Sequence, residues 1–144
     1  MSAGSDPCRA ASRRLLSYGP DEPQAVAAVR VLVVEDNLLI AETIAEVLHK
    51  AGAEIVGPAP DLQQGVALAQ AARIDGAVLD IKLADGHCFA IATILRLRGI
   101  PFVFLSGYRG ADLVPDVFQS ILRLQKPGGI WDLPLVIEQT FAAH

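Results

Sequence analysis

The chain is 144 residues long, 52% hydrophobic and 19% charged, which suits one compact domain and excludes a disordered protein. A net charge of −4, with no Lys/Arg run in the C-terminal four-fifths, disfavours electrostatic binding to nucleic acid, which needs clustered cations. No apolar run approaches the roughly 18 residues of a membrane span, and the basic start lacks the apolar core of a secretory signal. Cys8 and Cys88 have neither metal-ligand spacing nor a disulfide-rich context, so a reducing, cytoplasmic setting is expected.

Residues 1–28 are rich in Ser, Ala, Pro and charge, with "GPDEP" as a breaker, and read as a flexible leader; the folded domain is expected over 29–144. "VRVLVV" (29–34) is the first strand-type run. Ile40, Ile44, Val47, Leu48 and Ala51 then fall on one face of a helix, and Gly52 supplies its stop. "AEIVG" (53–57) is a second strand. Asp61 with Gln64 resembles a capping box ahead of the stripe Leu62, Val66 and Ala69. "DGAVLD" (75–80) predicts the third strand, and Cys88, Ile91, Ala92 and Leu95 the third helix. "IPFVFLS" (100–106) follows as a strand. The next helix, in "GADLVPDVFQS", carries Pro115 at its middle and can be only short or distorted. "SILRLQ" (120–125) predicts the fifth strand. Leu133, Val136, Ile137 and Phe141 mark a last helix with Asp132 as its N-cap.

Five strands alternating with helices imply a parallel sheet covered on both faces. The economical architecture is a flavodoxin-like (βα)5 three-layer sandwich, an α/β fold with strand order 2-1-3-4-5. Ligands in such sheets sit at the carboxyl ends of the strands. Glu35 and Asp36 follow the first strand there, Asp80 ends the third, Ser106 the fourth and Lys126 follows the fifth. Three carboxylates so placed repel one another unless a cation joins them, and Mg²⁺, with its few carboxylate ligands and retained waters, fits. Asp36 or Asn37 could instead cap the first helix, and each of the other residues has an equally plain structural role. Their coincidence at one sheet edge favours a site. Asp80, expected to be exposed yet rigidly held, is the candidate nucleophile toward a phosphoryl group. Lys126 and Ser106 would neutralise developing charge, and the backbone carbonyl of Lys82 could add a metal ligand.

Together "VVEDN", "VLDIKLADG", "FLSGY" and "QKPGG" resemble the response-regulator receiver domain of two-component signalling, in its stand-alone single-domain form. The resemblance covers 29–144 and implies a phosphohistidine donor on a sensor histidine kinase or histidine phosphotransfer protein. It implies Asp80 as acceptor, Glu35 and Asp36 as the acids that hold Mg²⁺, and a cis bond at Lys126–Pro127. In the family the Ser/Thr moves toward the phosphoryl group and a strand-five aromatic turns inward. Here Arg123 stands at that aromatic position, and Tyr108 is the candidate to replace it. "FVFLSGY" is similar to the strand-four signature of an alphaproteobacterial receiver subgroup with a Phe-x-Thr-Gly-rich-Tyr motif.

With no output segment evident in the sequence, signalling is expected through a partner at the face of the fourth helix, fifth strand and fifth helix, with Trp131 and Phe118 on that surface. No catalytic turnover is expected beyond Mg²⁺-dependent self-phosphorylation and autodephosphorylation. Competing readings are a haloacid-dehalogenase-type phosphatase, which would need an aspartate where Lys82 stands, and a pseudo-receiver that works without phosphorylation. A mononucleotide or flavin binder would need a Gly- or Ser/Thr-rich first turn where "EDNLL" stands.

Overall fold

The computed structural model describes residues 28–107 and 114–142. The leader expected over 1–28 and Tyr108 therefore lie outside the described residues, apart from Ala28. Strands β1 (Arg30–Val34), β2 (Glu54–Ala59), β3 (Gly76–Asp80), β6 (Phe102–Ser106) and β7 (Arg123–Gln125) form one parallel sheet in the order β2-β1-β3-β6-β7. A small antiparallel hairpin, β4 (Lys82–Leu83) and β5 (Gly86–His87), interrupts the series directly after β3. With that hairpin set aside, the order is the expected 2-1-3-4-5.

Successive residues of β1 go to opposite faces, and both faces are dry. Leu32 and Val34 join Leu79 and Phe104 under α2 (Leu62–Ala71) and α3 (Phe89–Leu97), which contribute Ala69, Ile91, Ala92 and Leu95. Val31 and Val33 join Val78, Val103 and Leu105 under α1 (Leu38–Lys50) and the last helix, which contribute Ile44, Leu48, Leu133 and Phe141. Burial on both sides explains why the strands read as continuous apolar runs rather than alternating ones.

Local signals set most helix ends. Asn37 caps α1 by accepting from the Ile40 N–H at 3.1 Å. Gly52 ends it at φ +97, donating its N–H to His49 O, a conformation that costs glycine little. Asp61 caps α2 from outside its first turn, accepting from the Gln64 N–H at 2.8 Å. Both Lys126–Pro127, as expected, and Gly57–Pro58, which was not, are cis.

The C-terminal third departs from expectation. Between the fourth and fifth strands of the sheet, the described residues after Pro115 form only a 3₁₀ turn, Asp116–Phe118. That turn and the residues after it use up the start of the predicted strand 120–125, so β7 has only three residues. Asp132 does not cap the last helix: it closes a 3₁₀ turn (Gly128–Asp132), has helical dihedrals itself, and its side chain makes no cap hydrogen bond. The helix then runs as one α turn, α4 (Leu133–Val136), and one π turn (Ile137–Phe141). Phe118, expected on a partner surface, is 3% exposed and packs among Phe89, Phe102 and Phe104, whereas Trp131 is 65% exposed.

Gly76, at the base of β3, lets the last helix approach: a Cβ there would meet the Phe141 ring, with Cδ2 at 2.6 Å. Gly128 would place its Cβ in open space. Gly76→Ala is expected to destabilise the fold by about 1–3 kcal/mol through overpacking, while Gly128→Ala leaves it within about 0.5 kcal/mol. Urea unfolding of both variants checks this contrast.

Candidate functional site

The carboxyl ends of β1, β3, β6 and β7 meet at one edge, and the register fixes how. Asp80 is the last residue of β3 and pairs with Leu105, so Ser106 lies one residue further along β6. Ser106 pairs with Gln125, and its carbonyl accepts from the Lys126 N–H at 2.9 Å, which starts the turn after β7 beside the β3 end. Glu35 follows β1, and its own N–H donates to Ala59 O at 3.0 Å, so the chain leaves the sheet held on its β2 side.

Three side chains then form a buried chain of charge. Lys126 Nζ donates to Glu35 Oε1 at 3.0 Å and lies 3.3 Å from Asp80 Oδ1. Glu35 Oε2 accepts from the Asn37 N–H at 3.1 Å, so the N-cap residue of α1 also braces this carboxylate. Glu35, Asp80 and Ser106 are buried, and Lys126 is mostly covered. Asp36 is the acid of the group that faces water. Ligand-competent oxygens of Glu35, Asp36 and Asp80 all lie within 4.8 Å of one another.

This geometry corrects one expectation. Asp80 is not exposed; it is 4% exposed, because Lys126 and Glu35 close over it. Burial therefore raises its pKa from the ordinary 3.8 to about 7, with the Glu35 charge adding to the rise and Lys126 only partly opposing it. Lys126 goes up as well: burial pulls it down, but the Glu35 hydrogen bond and the two carboxylate charges outweigh that.

The donor set fits magnesium. Three hard oxygens, one of them open to solvent, match an ion that binds through few carboxylates and keeps waters. Opposite oxygens of a Mg²⁺ octahedron stand about 4.2 Å apart, from ~2.1 Å bonds, so the spread of up to 4.8 Å needs little contraction. Each Glu35 oxygen already accepts one hydrogen bond, which leaves Asp36 and Asp80 as the less committed donors. Lys82 lies in the hairpin next to Asp80. Cys88 N–H donates to Ile81 O there, so the antiparallel alternation turns the backbone groups of Lys82 away from β5. That leaves its carbonyl outside the hairpin's own hydrogen bonding.

Other candidates fall elsewhere. Arg123 sits in β7 opposite Phe104, half-buried, and makes no side-chain hydrogen bond or ion pair among the described residues. His87 is exposed and stacks on Phe89 at 5.7 Å. Two contacts had no expectation in the sequence: the Glu35–Lys126 bond and the bond from Asn37 N–H to Glu35. The longer reach of glutamate beside "DN" was the one available signal for them.

The sequence model of the family described as "Response regulator receiver domain" matches residues 31–125. The chain belongs to the response-regulator receiver family. Among curated relatives, this receiver is 36% identical over 121 residues to the transcriptional regulatory protein PdtaR of Mycobacterium tuberculosis, covering 81% of this chain and 58% of PdtaR. It is 27% identical over 130 residues to the phyllosphere-induced regulator PhyR of Methylorubrum extorquens, covering 88% of this chain and 49% of PhyR. The chain thus spans about half to three-fifths of the length of these relatives. Among solved structures, SdrG from Sphingomonas melonis is 34% identical with a TM-score of 0.62, over 69% of this chain and 85% of SdrG. A CheY-like receiver domain protein from Methanospirillum hungatei is 25% identical with a TM-score of 0.69, over 81% and 95% of the two chains.

The raised Asp80 pKa has a signed consequence for this receiver without divalent ions. Between about pH 4 and 7 the native protein holds a proton that the unfolded chain has lost, so stability falls as pH rises through that window. The contribution is whole below pH 4 and gone above 7. Asp80→Asn should flatten this slope and be more stable than wild type at pH 8, as measured by urea midpoints from pH 4 to 8 in chelator.

Proposed function

We propose that the protein is a phosphoacceptor that takes a phosphoryl group onto Asp80 from the phosphohistidine of a sensor kinase or histidine phosphotransfer protein. The observation that carries this reading is the Lys126 ammonium held between two buried carboxylates, Glu35 and Asp80. A structural ion pair needs one acid, and an additional buried one raises energy without a structural return.

In the proposed reaction an Oδ of Asp80 attacks phosphorus in line with the P–N bond of the donor imidazole. That bond breaks, its electron pair stays on the imidazole nitrogen, and an acyl phosphate forms. Magnesium, held by Asp36 and Asp80 with Glu35 and the Lys82 carbonyl alongside, would supply charge neutralisation to the transferring oxygens. Lys126 follows the charge: its ammonium, 3.3 Å from Asp80 Oδ1, is placed to donate to a phosphoryl oxygen once that carboxylate is phosphorylated. The Ser106 hydroxyl, on the neighbouring strand end, is the second donor. Burial of Asp80, Glu35 and Ser106 limits water around the acyl phosphate.

The product signals by binding rather than by catalysis, so self-phosphorylation and autodephosphorylation are its only reactions. Its partner docks on the face of the 114–121 segment, β7 and the last helix, where Trp131 and Leu135 are exposed. Arg123 cannot pack inward as an aromatic does, and relay duty passes to Tyr108. No helix among the described residues is long and apolar enough to cross a membrane, and the protein is proposed to act in the cytoplasm without nucleic acid.

Incubation with acetyl phosphate and Mg²⁺ should add one acid-labile phosphoryl group, seen by intact mass. Asp80→Ala should lose it entirely, and Arg123→Ala should keep it. Labelling of Asp80→Ala to the wild-type level would end this reading.

A further inference from the structure

The hairpin that carries Lys82 is too small to hold itself. Its strands have two residues each and its turn is Ala84–Asp85, and an isolated hairpin of that size is at best marginal. It is anchored at one side by Leu83, buried in the core. Its other anchor is Asp85. This carboxylate reaches across to the start of α2, 23 residues earlier, and accepts from the Leu62 N–H at 2.8 Å and, more weakly, from the Gln63 N–H at 3.4 Å. Gly86 follows at φ +146, so close to α2 that a Cβ there would lie 3.1 Å from Leu62 Cδ2.

Asp85 is not the only cap on the start of α2. Asp61 already takes the Gln64 N–H, from the helix's own flank. The two aspartates thus split the first three N–H groups of α2, but only one of them belongs to the hairpin. We infer that Asp85 is a positioning residue for the metal side of the site: its bonds to α2 fix the hairpin and so the height of the Lys82 carbonyl beside Asp80. This rests on the phosphoacceptor reading, because it assigns Asp85 an effect on magnesium. The helix lends its first N–H groups and its positive end to the Asp85 carboxylate, and through it to the hairpin. Second-sphere partners of this kind commonly govern metal affinity without touching the metal.

Asp61 supplies the control, since its loss weakens the same helix end with no link to the hairpin. Mg²⁺ titration of the full chain, followed by NMR shifts of the amides of residues 81–83, is the readout. Asp85→Ala should weaken Mg²⁺ about tenfold, with the rate of labelling by acetyl phosphate restored at saturating Mg²⁺. Asp85→Asn, whose amide oxygen still accepts, should retain most of the affinity. Asp61→Ala should lower the thermal midpoint at unchanged Mg²⁺ affinity. Wild-type affinity in Asp85→Ala, or an equal loss in Asp61→Ala, overturns the positioning role alone. A wild-type chain that binds no Mg²⁺ overturns the phosphoacceptor reading and this inference with it.

Discussion

The site depends on one ammonium group shared between two buried carboxylates. Glu35 follows β1 and Asp80 ends β3, two adjacent central strands, and the sheet forces them together whether or not their charges agree. Lys126, arriving from the edge strand, takes most of the strain but not all of it. One positive charge cannot balance two buried acids and a third at the rim. Burial keeps the Asp80 carboxyl near neutrality in its pKa, the residual negative charge adds to that rise, and the same charge would favour a divalent cation. Stability and function therefore pull against each other at this edge, as is common where ionisable groups are brought into a cleft for chemistry.

The rest of the fold is a rigid mount for that edge. All five residues of β3 and β6 are buried, and each strand is hydrogen-bonded on both sides, so their ends have little freedom. α1 does double duty, since the Asn37 that caps it also lends its N–H to Glu35. The opposite end of the sheet is closed by Phe141 against Gly76, far from the chemistry. The shorter and less regular elements gather on one side. β7 is short, the 114–121 segment is a single 3₁₀ turn latched by Arg96, which donates to Val117 O and lies 4.9 Å over Phe118, and the last helix ends in a π turn. That is the side proposed for partner docking.

Much of this was legible in the sequence, for identifiable reasons. Strands buried on both faces leave unbroken apolar runs, so β1, β3 and β6 announce themselves, and the order of their polar ends follows from connection rules. Asp80, the two flanking acids and the lysine could be placed because each follows its strand by zero to two residues. The hairpin after Asp80 was not legible, since two-residue strands have no periodicity to detect. Nor was the missing cap at Asp132, where a 3₁₀ turn built on "PGG" takes the helix start and turns the aspartate's backbone helical. Phe118 looked like surface from its place near the fourth and fifth helices alone, yet three neighbouring phenylalanines give it a core site. The burial of Asp80 was misread for a similar reason: a sequence shows that a carboxylate ends a strand, not which side chains fold over it.

The most direct test is the titration of the Asp80 side-chain carboxyl by ¹³C NMR without divalent ions, in wild type and in Lys126→Met. The account predicts a midpoint near 7 in wild type, moved higher when the ammonium is removed. A midpoint in the ordinary carboxylate range, or one that does not respond to the loss of Lys126, would contradict it.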